Sequence, residues 1–171
     1  VDGSFVREWL LLGPIPSTDM ETDFLADAGG EANVRPKEGD EVTLKDGTRL
    51  TWIRARSDRR RFDFEKVFGI HPWSITYAYC ELSSERRVET DLRANLLAPT
   101  PLWLNGKRVG DVPTQFFNSE NWLGLNTVLP VLPITLEAGR NSLLLKRKQE
   151  NHGGDFIFQP LAPERVHVDF H

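Results

Sequence analysis

The sequence predicts an all-β protein, a β-sandwich or jelly roll with one short helix near the N-terminus. Three observations lead to this prediction: about nine strand-length runs rich in branched and aromatic residues, turn signals that separate these runs, and a single segment with helical spacing. Strands and helices do not alternate, which disfavours a parallel α/β sheet. Because the length suits a single core and the chain opens without methionine or a signal peptide, we expect residues 1–171 to form one domain excised from a larger multidomain protein.

The N-terminal part of the chain combines the first predicted strand with the predicted helix. Branched and aromatic residues over positions 5–12 predict the strand, which Gly13-Pro14-Ile15-Pro16 would end. After this strand, Thr18 and Glu21 have the spacing of a capping box, and Gly29-Gly30 would end the helix that begins there.

Two turn signals predict hairpins. Asp46-Gly47 separates the apolar runs 42–44 and 50–53, and Asn105-Gly106 separates the strand fragments 102–104 and 107–109. Both pairs tolerate the positive φ angles of a tight turn, and Asn-Gly strongly favours a type I′ turn. The second hairpin is therefore the sharpest local prediction in the chain.

The remaining strands show the alternation of a half-buried sheet. Residues 75–82 form one predicted strand, and a Ser83-Ser84-Glu85 turn leads into the next, over residues 87–94. In that second strand the dry face would hold Val88, Thr90, Leu92 and Ala94, and the wet face would hold Arg87, Glu89, Asp91 and Arg93. Further strands are predicted over residues 134–136, 141–146 and 155–159.

Composition argues against several functional classes. With 21 basic and 25 acidic residues the net charge is −4, which is too small and too mixed to attract nucleic acid. The basic cluster is interleaved with acids, which indicates a solvated strand face or turn; it consists of Arg54, Arg56, Arg59, Arg60 and Arg61. The longest apolar run is Trp9-Leu10-Leu11-Leu12, so we expect no membrane-spanning segment.

The sequence contains no set of residues with catalytic or cofactor-binding spacing. Of the four histidines, His167 and His171 are four residues apart, but no helix is predicted there, so the pair does not have the setting of a helical metal site. There is no nucleophile elbow and no phosphate-binding glycine loop. The single cysteine, Cys80, lies within a predicted strand, and we interpret it as a buried core thiol. We expect neither enzyme activity nor a cofactor. A structural calcium ion at Asp19-Met20-Glu21-Thr22-Asp23 is the alternative to an acidic first helical turn in that segment.

The five tryptophans divide into two groups. Trp9, Trp52 and Trp103 lie in predicted strands, where core packing is the simpler interpretation. Trp73 and Trp122 lie in predicted loops, where a tryptophan either plugs the end of a sandwich or contacts a ligand.

The loop tryptophans define the predicted ligand site. His71 precedes Trp73 and Asn121 precedes Trp122, so each ring has polar neighbours. An aromatic face beside such side chains suits a sugar, whose CH groups stack on the ring and whose hydroxyl groups need donors and acceptors. We therefore predict that Trp73, Trp122, Asn121 and His71 bind a glycan at one end or edge of the sandwich.

Several motifs of the chain resemble galactose-binding-domain-like β-sandwich modules. These motifs are Trp9-Leu10-Leu11-Leu12-Gly13-Pro14, Tyr77-Ala78-Tyr79, Trp103-Leu104-Asn105-Gly106-Lys107 and the run 136–146. Modules of this kind are jelly rolls attached to glycoside hydrolases, polysaccharide lyases, esterases and peptidases of large exported bacterial proteins, and some bind sugars. The resemblance implies a secreted, periplasmic or cell-surface location and a non-catalytic accessory role, either carbohydrate-binding or scaffolding.

Two other functions compete with this hypothesis. A protein-interaction module that packs on a neighbouring domain or subunit would suit an exposed Phe116-Phe117 patch. A small hydrolase is disfavoured, because no nucleophile, base and orienting group are found together.

Overall fold

The computed structural model describes residues 6–57, 62–69, 71–95, 100–112, 131–149, 155–161 and 166–169. Within these ranges most of the regular secondary structure is β-strand. In chain order the elements are β1 (Glu8–Ile15), a 3₁₀ helix (Ala26–Ala28), β2 (Glu41–Thr43), β3 (Arg49–Thr51), β4 (Ile53–Arg56), β5 (Phe62–Asp63), α1 (Phe64–Phe68), β6 (Ser74–Ser84), β7 (Val88–Asn95), β8 (Thr100–Leu104), β9 (Lys107–Val112), β10 (Val131–Leu136), β11 (Gly139–Gln149), β12 (Asp155–Leu161) and β13 (Val166–Asp169). The predicted all-β class is confirmed.

The strands form two large antiparallel sheets and one hairpin. The larger sheet has seven strands in the order β4-β1-β6-β11-β8-β9, with β13 also paired to β6. The second sheet has four strands in the order β10-β7-β12-β5, and β2 pairs with β3 alone. Strands β6 and β11 pair along their whole length, from Ser74 opposite Gln149 to Ser84 opposite Gly139, and form the centre of the larger sheet.

One face of the seven-stranded sheet, which we call the inner face, packs on the four-stranded sheet. The two sheets contribute to a single aliphatic cluster. From the larger sheet it contains Trp9, Leu11, Ala78, Cys80, Leu82, Leu102, Leu104, Leu143 and Leu145, and from the smaller sheet Leu92, Ile134 and Leu136. The predicted alternation of β7 is confirmed where side chains are described, because Leu92 is buried while Glu89 and Asp91 are exposed.

The opposite face, which we call the strap face, is covered by residues 16–52, the strap. The sheet supplies Leu10, Leu12, Ile15, Ile75, Tyr77, Tyr79, Trp103 and Leu144 to this second cluster, and the strap supplies Leu25, Val34, Val42, Leu44 and Trp52. Since both faces are covered, the central strands are buried almost continuously instead of alternating.

The predicted helix after Thr18 is wrong. The segment is a loop, in which Asp19 accepts hydrogen bonds from the Glu21 N–H (3.0 Å) and the Thr22 hydroxyl (2.6 Å). Such side-chain bonds give the backbone an alternative to helical pairing. A single 3₁₀ turn, Ala26–Ala28, follows, and it ends at Gly29 with φ of 106°, where the sequence placed the terminator. The short helix α1 was not predicted.

Both predicted hairpins are confirmed. Asn105 (φ 51°) and Gly106 (φ 81°) form the two-residue turn between β8 and β9, with Leu104 paired to Lys107. In the strap, Gly47 has φ of 88° and Asp46 accepts a hydrogen bond from the Thr48 N–H at 2.9 Å.

The first strand begins later and ends later than predicted. It continues past Leu12 to Ile15, with a register shift against β6 between these two residues. Glycine is required within the irregularity, because a Cβ atom at Gly13 would lie 2.8 Å from the Thr76 hydroxyl oxygen and 3.1 Å from the Ile75 carbonyl oxygen.

Candidate functional site

Trp73 lies immediately before β6, at one end of the seven-stranded sheet. Its backbone N–H donates to the Gln149 carbonyl at 2.7 Å, which fixes the residue to the end of β11. Its φ of 61° is a left-handed conformation that a bulky residue adopts only when its surroundings impose it. The side chain is nonetheless 50% exposed, and it is the exposed large hydrophobic side chain among the residues whose burial is described.

His71 belongs to the same turn as Trp73. Its backbone carbonyl accepts a hydrogen bond from the Ser74 hydroxyl at 2.6 Å, and its side chain is exposed. A Cβ atom at Gly69, where φ is 76°, would lie 3.8 Å from the His71 Nε2, so the imidazole lies beside that glycine. The turn therefore presents an indole ring and an imidazole two residues apart on a backbone anchored to two central strands.

Two of the four predicted site residues, Asn121 and Trp122, lie outside the described residues, as does the Phe116-Phe117 patch. The three strand tryptophans are core residues as predicted, with exposures of 1% for Trp9, 1% for Trp52 and 9% for Trp103.

A polar groove lies at the other end of the seven-stranded sheet. It has a volume of about 840 Å³ and is lined by residues of β7, β10 and the β8–β9 hairpin. Its polar lining includes Arg87, Glu89, Asp91, Lys107 and Glu137. Strand β6 has 11 residues, so its two ends lie about 33 Å apart along the strand direction. The sequence predicted the exposed face of β7 but not the groove, which depends on the hairpin of the other sheet.

A buried amide network makes the edge of this groove rigid. The fully buried Asn141 accepts from the Asn105 side chain (2.7 Å) and from the Glu137 N–H (2.8 Å). Its amide nitrogen donates to the carbonyls of Leu82, Glu137 and Gly139. The turn before β11 and the turn of the β8–β9 hairpin are thereby joined.

The most deeply buried charge in the described residues is Lys146, on the strap face of β11. Its ammonium group, 1% exposed, donates to the carboxylate of Glu31 (2.6 Å) and to the carbonyls of Met20 (3.0 Å) and Thr22 (2.5 Å). These are three acceptors for three N–H donors, so the group is satisfied. The cluster holds the strap against the sheet.

Tyr77 completes this cluster. Its hydroxyl donates to the same Glu31 oxygen at 2.6 Å and accepts from the Phe24 N–H at 3.3 Å. Burial, followed by the Glu31 hydrogen bond, raises the pKa of Tyr77 well above its usual range. This cluster could not be predicted from the sequence, because Lys146 lies 115 residues from Glu31.

The residues considered for chemistry lie apart from one another. Cys80 is buried in the inner cluster, where burial raises the pKa of its thiol, so it is protonated at neutral pH. Among the described residues, no group of three or more His, Cys, Asp and Glu side chains is arranged to hold a metal ion. In the proposed calcium segment, both Asp19 and Asp23 bind N–H groups of their own loop. No helix in the described ranges is long and apolar enough to cross a membrane.

The structure describes only part of the basic cluster. Arg54 forms ion pairs with Glu8 (2.9 Å) and Glu38 (3.1 Å), as a solvated strand face would. The arginines at 59–61 lie outside the described residues.

The chain matches no protein-family model, no curated protein and no solved structure.

Proposed function

We propose that this chain is a non-catalytic accessory module that binds carbohydrate through Trp73. The observation that carries the proposal is the combination of exposure and backbone conformation at that residue: a half-exposed indole held at φ of 61° by a 2.7 Å hydrogen bond to Gln149. A left-handed conformation costs a bulky residue roughly 1–3 kcal/mol, and positions that keep such a cost are concentrated at ligand sites.

The chemistry of the turn fits a sugar better than it fits a reaction. An exposed indole face packs against the CH groups of a pyranose ring, and the imidazole of His71 supplies a donor or an acceptor for a hydroxyl group. The buried, protonated thiol of Cys80 supports a non-catalytic role, because it lies in the apolar cluster of the inner face, where a substrate in solution does not reach it. The jelly-roll topology, the relationship to galactose-binding-like modules and the exported location belong to this same proposal.

The test is a glycan array followed by calorimetric titration of the best ligand against the wild-type chain, Trp73→Ala and Trp73→Gly. Both variants should lose binding by at least tenfold, because each removes the stacking ring. Trp73→Gly should melt at a higher temperature than Trp73→Ala, because both lack the ring and glycine adopts positive φ without strain. Glu89→Gln, in the groove at the other end of the sheet, is the matched control and should bind as the wild type does.

Three results would contradict the proposal: no binding to any glycan, equal binding by Trp73→Ala, or loss of binding in that variant only together with loss of the folded state by circular dichroism.

A further inference from the structure

A small cavity opens between the strap and the β2–β3 hairpin within it. Its volume is about 210 Å³, and its predominantly apolar lining includes Ile15, Pro16, Phe24 and Leu44. Pockets that enclose whole small-molecule ligands usually measure ~300–1,000 Å³. This cavity therefore has room for a single apolar side chain rather than for an extended ligand.

The walls of the cavity are fixed before any partner arrives. The Phe24 N–H donates to the Tyr77 hydroxyl, and the Lys146 ammonium lies 5.5 Å from the centroid of the Phe24 ring. On the other side, the Leu44 N–H donates to the Thr48 carbonyl at 2.8 Å within the hairpin. A side chain that enters such a cavity needs little reorganisation of the protein.

Acidic side chains outnumber basic ones in the lining of the cavity. Asp23, Asp27 and Asp46 contribute to the lining, with Lys45 as the one basic lining residue. Residues 17–34 contain five acids and no Lys, Arg or His. Of these five acids, Glu31 is the one that the buried lysine neutralises. The wall of the cavity that residues 17–34 supply is therefore negatively charged.

Hydrogen bonds stabilise the ionised form of two strap carboxylates, of which Asp46 lines the cavity. The Thr48 N–H lowers the pKa of Asp46, and the Thr22 hydroxyl lowers the pKa of Asp19, which lies on the same strap. With three aspartates and one lysine, the lining carries more negative than positive groups, which favours a cation.

We propose that this cavity is a docking pocket for one apolar side chain of a polypeptide partner whose flanking residues are basic. Aromatic and aliphatic anchors that fill a pocket dominate the binding energy of such interfaces. Complementary charge at the rim suppresses wrong partners and accelerates association. A nucleic acid would be repelled by the same carboxylates, and a sugar would find few polar partners inside the apolar hole. The site is separate from Trp73 and does not depend on carbohydrate binding.

The probes are three short capped peptides that carry phenylalanine between two lysines, alanine between two lysines, or phenylalanine between two glutamates. Each is titrated into the ¹⁵N-labelled full chain and followed by amide chemical shifts. The first peptide should bind with a dissociation constant on the order of millimolar, because one buried side chain supplies little area. The other two should bind at least tenfold more weakly. The largest shifts should come from amides of residues 22–27 and 43–46.

Two substitutions in the 3₁₀ helix form a matched pair. Ala26 lines the cavity and Ala28 does not, and both are exposed. Ala26→Leu should fill the space and reduce peptide affinity at least fivefold, whereas Ala28→Leu should leave it unchanged. For the charge, Asp27→Asn should weaken binding of the lysine peptide, and Glu41→Gln, exposed on β2 and outside the lining, should not.

The proposal is wrong if the three peptides bind equally, if none binds, or if Ala26→Leu binds as well as Ala28→Leu. A titration with benzylamine tests whether the cavity binds a free small molecule instead of a polypeptide side chain. Tighter binding of benzylamine than of the lysine peptide would assign the cavity to small organic amines instead of to a polypeptide.

Discussion

The two faces of the seven-stranded sheet are covered in different ways, and the adjacent residues Leu145 and Lys146 on β11 show the contrast. Leu145 enters the inner cluster, where strands of the second sheet supply aliphatic side chains. Lys146 points to the strap face, where it holds two backbone carbonyls and a carboxylate. Both side chains are almost completely buried.

The difference follows from the backbone of each cover. Strands satisfy their own N–H and C=O groups by pairing, so the inner face needs only shape and apolar area. Much of the strap is irregular, and its buried polar groups must find partners elsewhere. The sheet supplies them through Lys146 and the Tyr77 hydroxyl. Long polar side chains that are buried on a strand therefore indicate that irregular chain covers that face of the sheet.

Among the substitutions that test this difference between the faces, removal of the lysine should lower the free energy of unfolding the most. Lys146→Ala leaves the Glu31 carboxylate buried without its cation and two strap carbonyls without a donor, and should lower the free energy of unfolding by about 3–5 kcal/mol. Urea unfolding measures the loss. A second substitution, Glu31→Gln, should recover part of it, and failure of the double variant to recover any stability would mean that Lys146 acts through packing alone.

Truncation on the inner face should cost slightly less and leave the strap in place. Leu145→Ala removes a side chain that is 1% exposed, and buried leucines truncated in this way cost about 2–5 kcal/mol. Hydrogen exchange separates the two faces. Protection of strap amides should fall selectively in Lys146→Ala and only with global stability in Leu145→Ala. Selective loss of strap protection in the leucine variant would contradict the division into two faces.

A glycine in each of the two hairpin turns tests whether the β8–β9 turn contacts the strap. A Cβ atom at Gly106 would lie 2.6 Å from the Ala32 carbonyl oxygen of the strap, whereas nothing lies within 4 Å of one at Gly47. Both glycines have positive φ. Gly47→Val should therefore cost about 1 kcal/mol from backbone strain, and Gly106→Val about 2–3 kcal/mol, because the strap must also move. Equal melting temperatures for the two variants would rule out the contact.

Alkaline pH should lower the stability contributed by the strap face, by a smaller amount than the substitutions above. Burial raises the pKa of Tyr77 and of Tyr79, both in the strap-face cluster, above the usual value of about 10. Because the folded-state pKa exceeds the unfolded one, this contribution is complete below pH 10 and is lost as pH rises above it, by about 1.4 kcal/mol per pH unit for each tyrosine.

Urea unfolding between about pH 8 and about pH 11 measures this slope. The Cys80→Ala background removes the thiol, whose pKa is also raised. Tyr77→Phe should be less stable than its parent at pH 8, because it loses two hydrogen bonds, and the difference should shrink above pH 10. A constant difference across the range would show that Tyr77 does not ionise on unfolding.

The sequence predicted the fold best where the signal is local. Asn105-Gly106 and Asp46-Gly47 specify their turns within two residues, and the alternation along β7 specifies its faces. The helix after Thr18 failed for an equally local reason. Thr18 and Glu21 have the spacing of a capping box, but the neighbouring Asp19 accepts the Glu21 N–H and the Thr22 hydroxyl and closes a turn instead.

The candidate sites were predicted less completely, because most of their features join distant parts of the chain. Trp73 could be singled out as a loop tryptophan, and its exposure agrees with that prediction. Its left-handed conformation could not, since the Gln149 carbonyl that accepts its N–H is remote in sequence. The groove and the strap cavity each require two elements whose approach only the fold determines.

The contacts of the lysine that holds the strap join distant parts of the chain, so we expect them to form late in folding. Glu31 and the carbonyl of Met20 are 115 and 126 residues from Lys146 in sequence. Contacts of such separation form after local pairings, because a long loop must be closed first. During synthesis the strap leaves the ribosome long before β11 does, so at first it lacks the hydrogen bonds to Lys146. Until then the strap face of β1 and β6 has no complete cover, and this interval is when nascent chains would associate through exposed apolar strands.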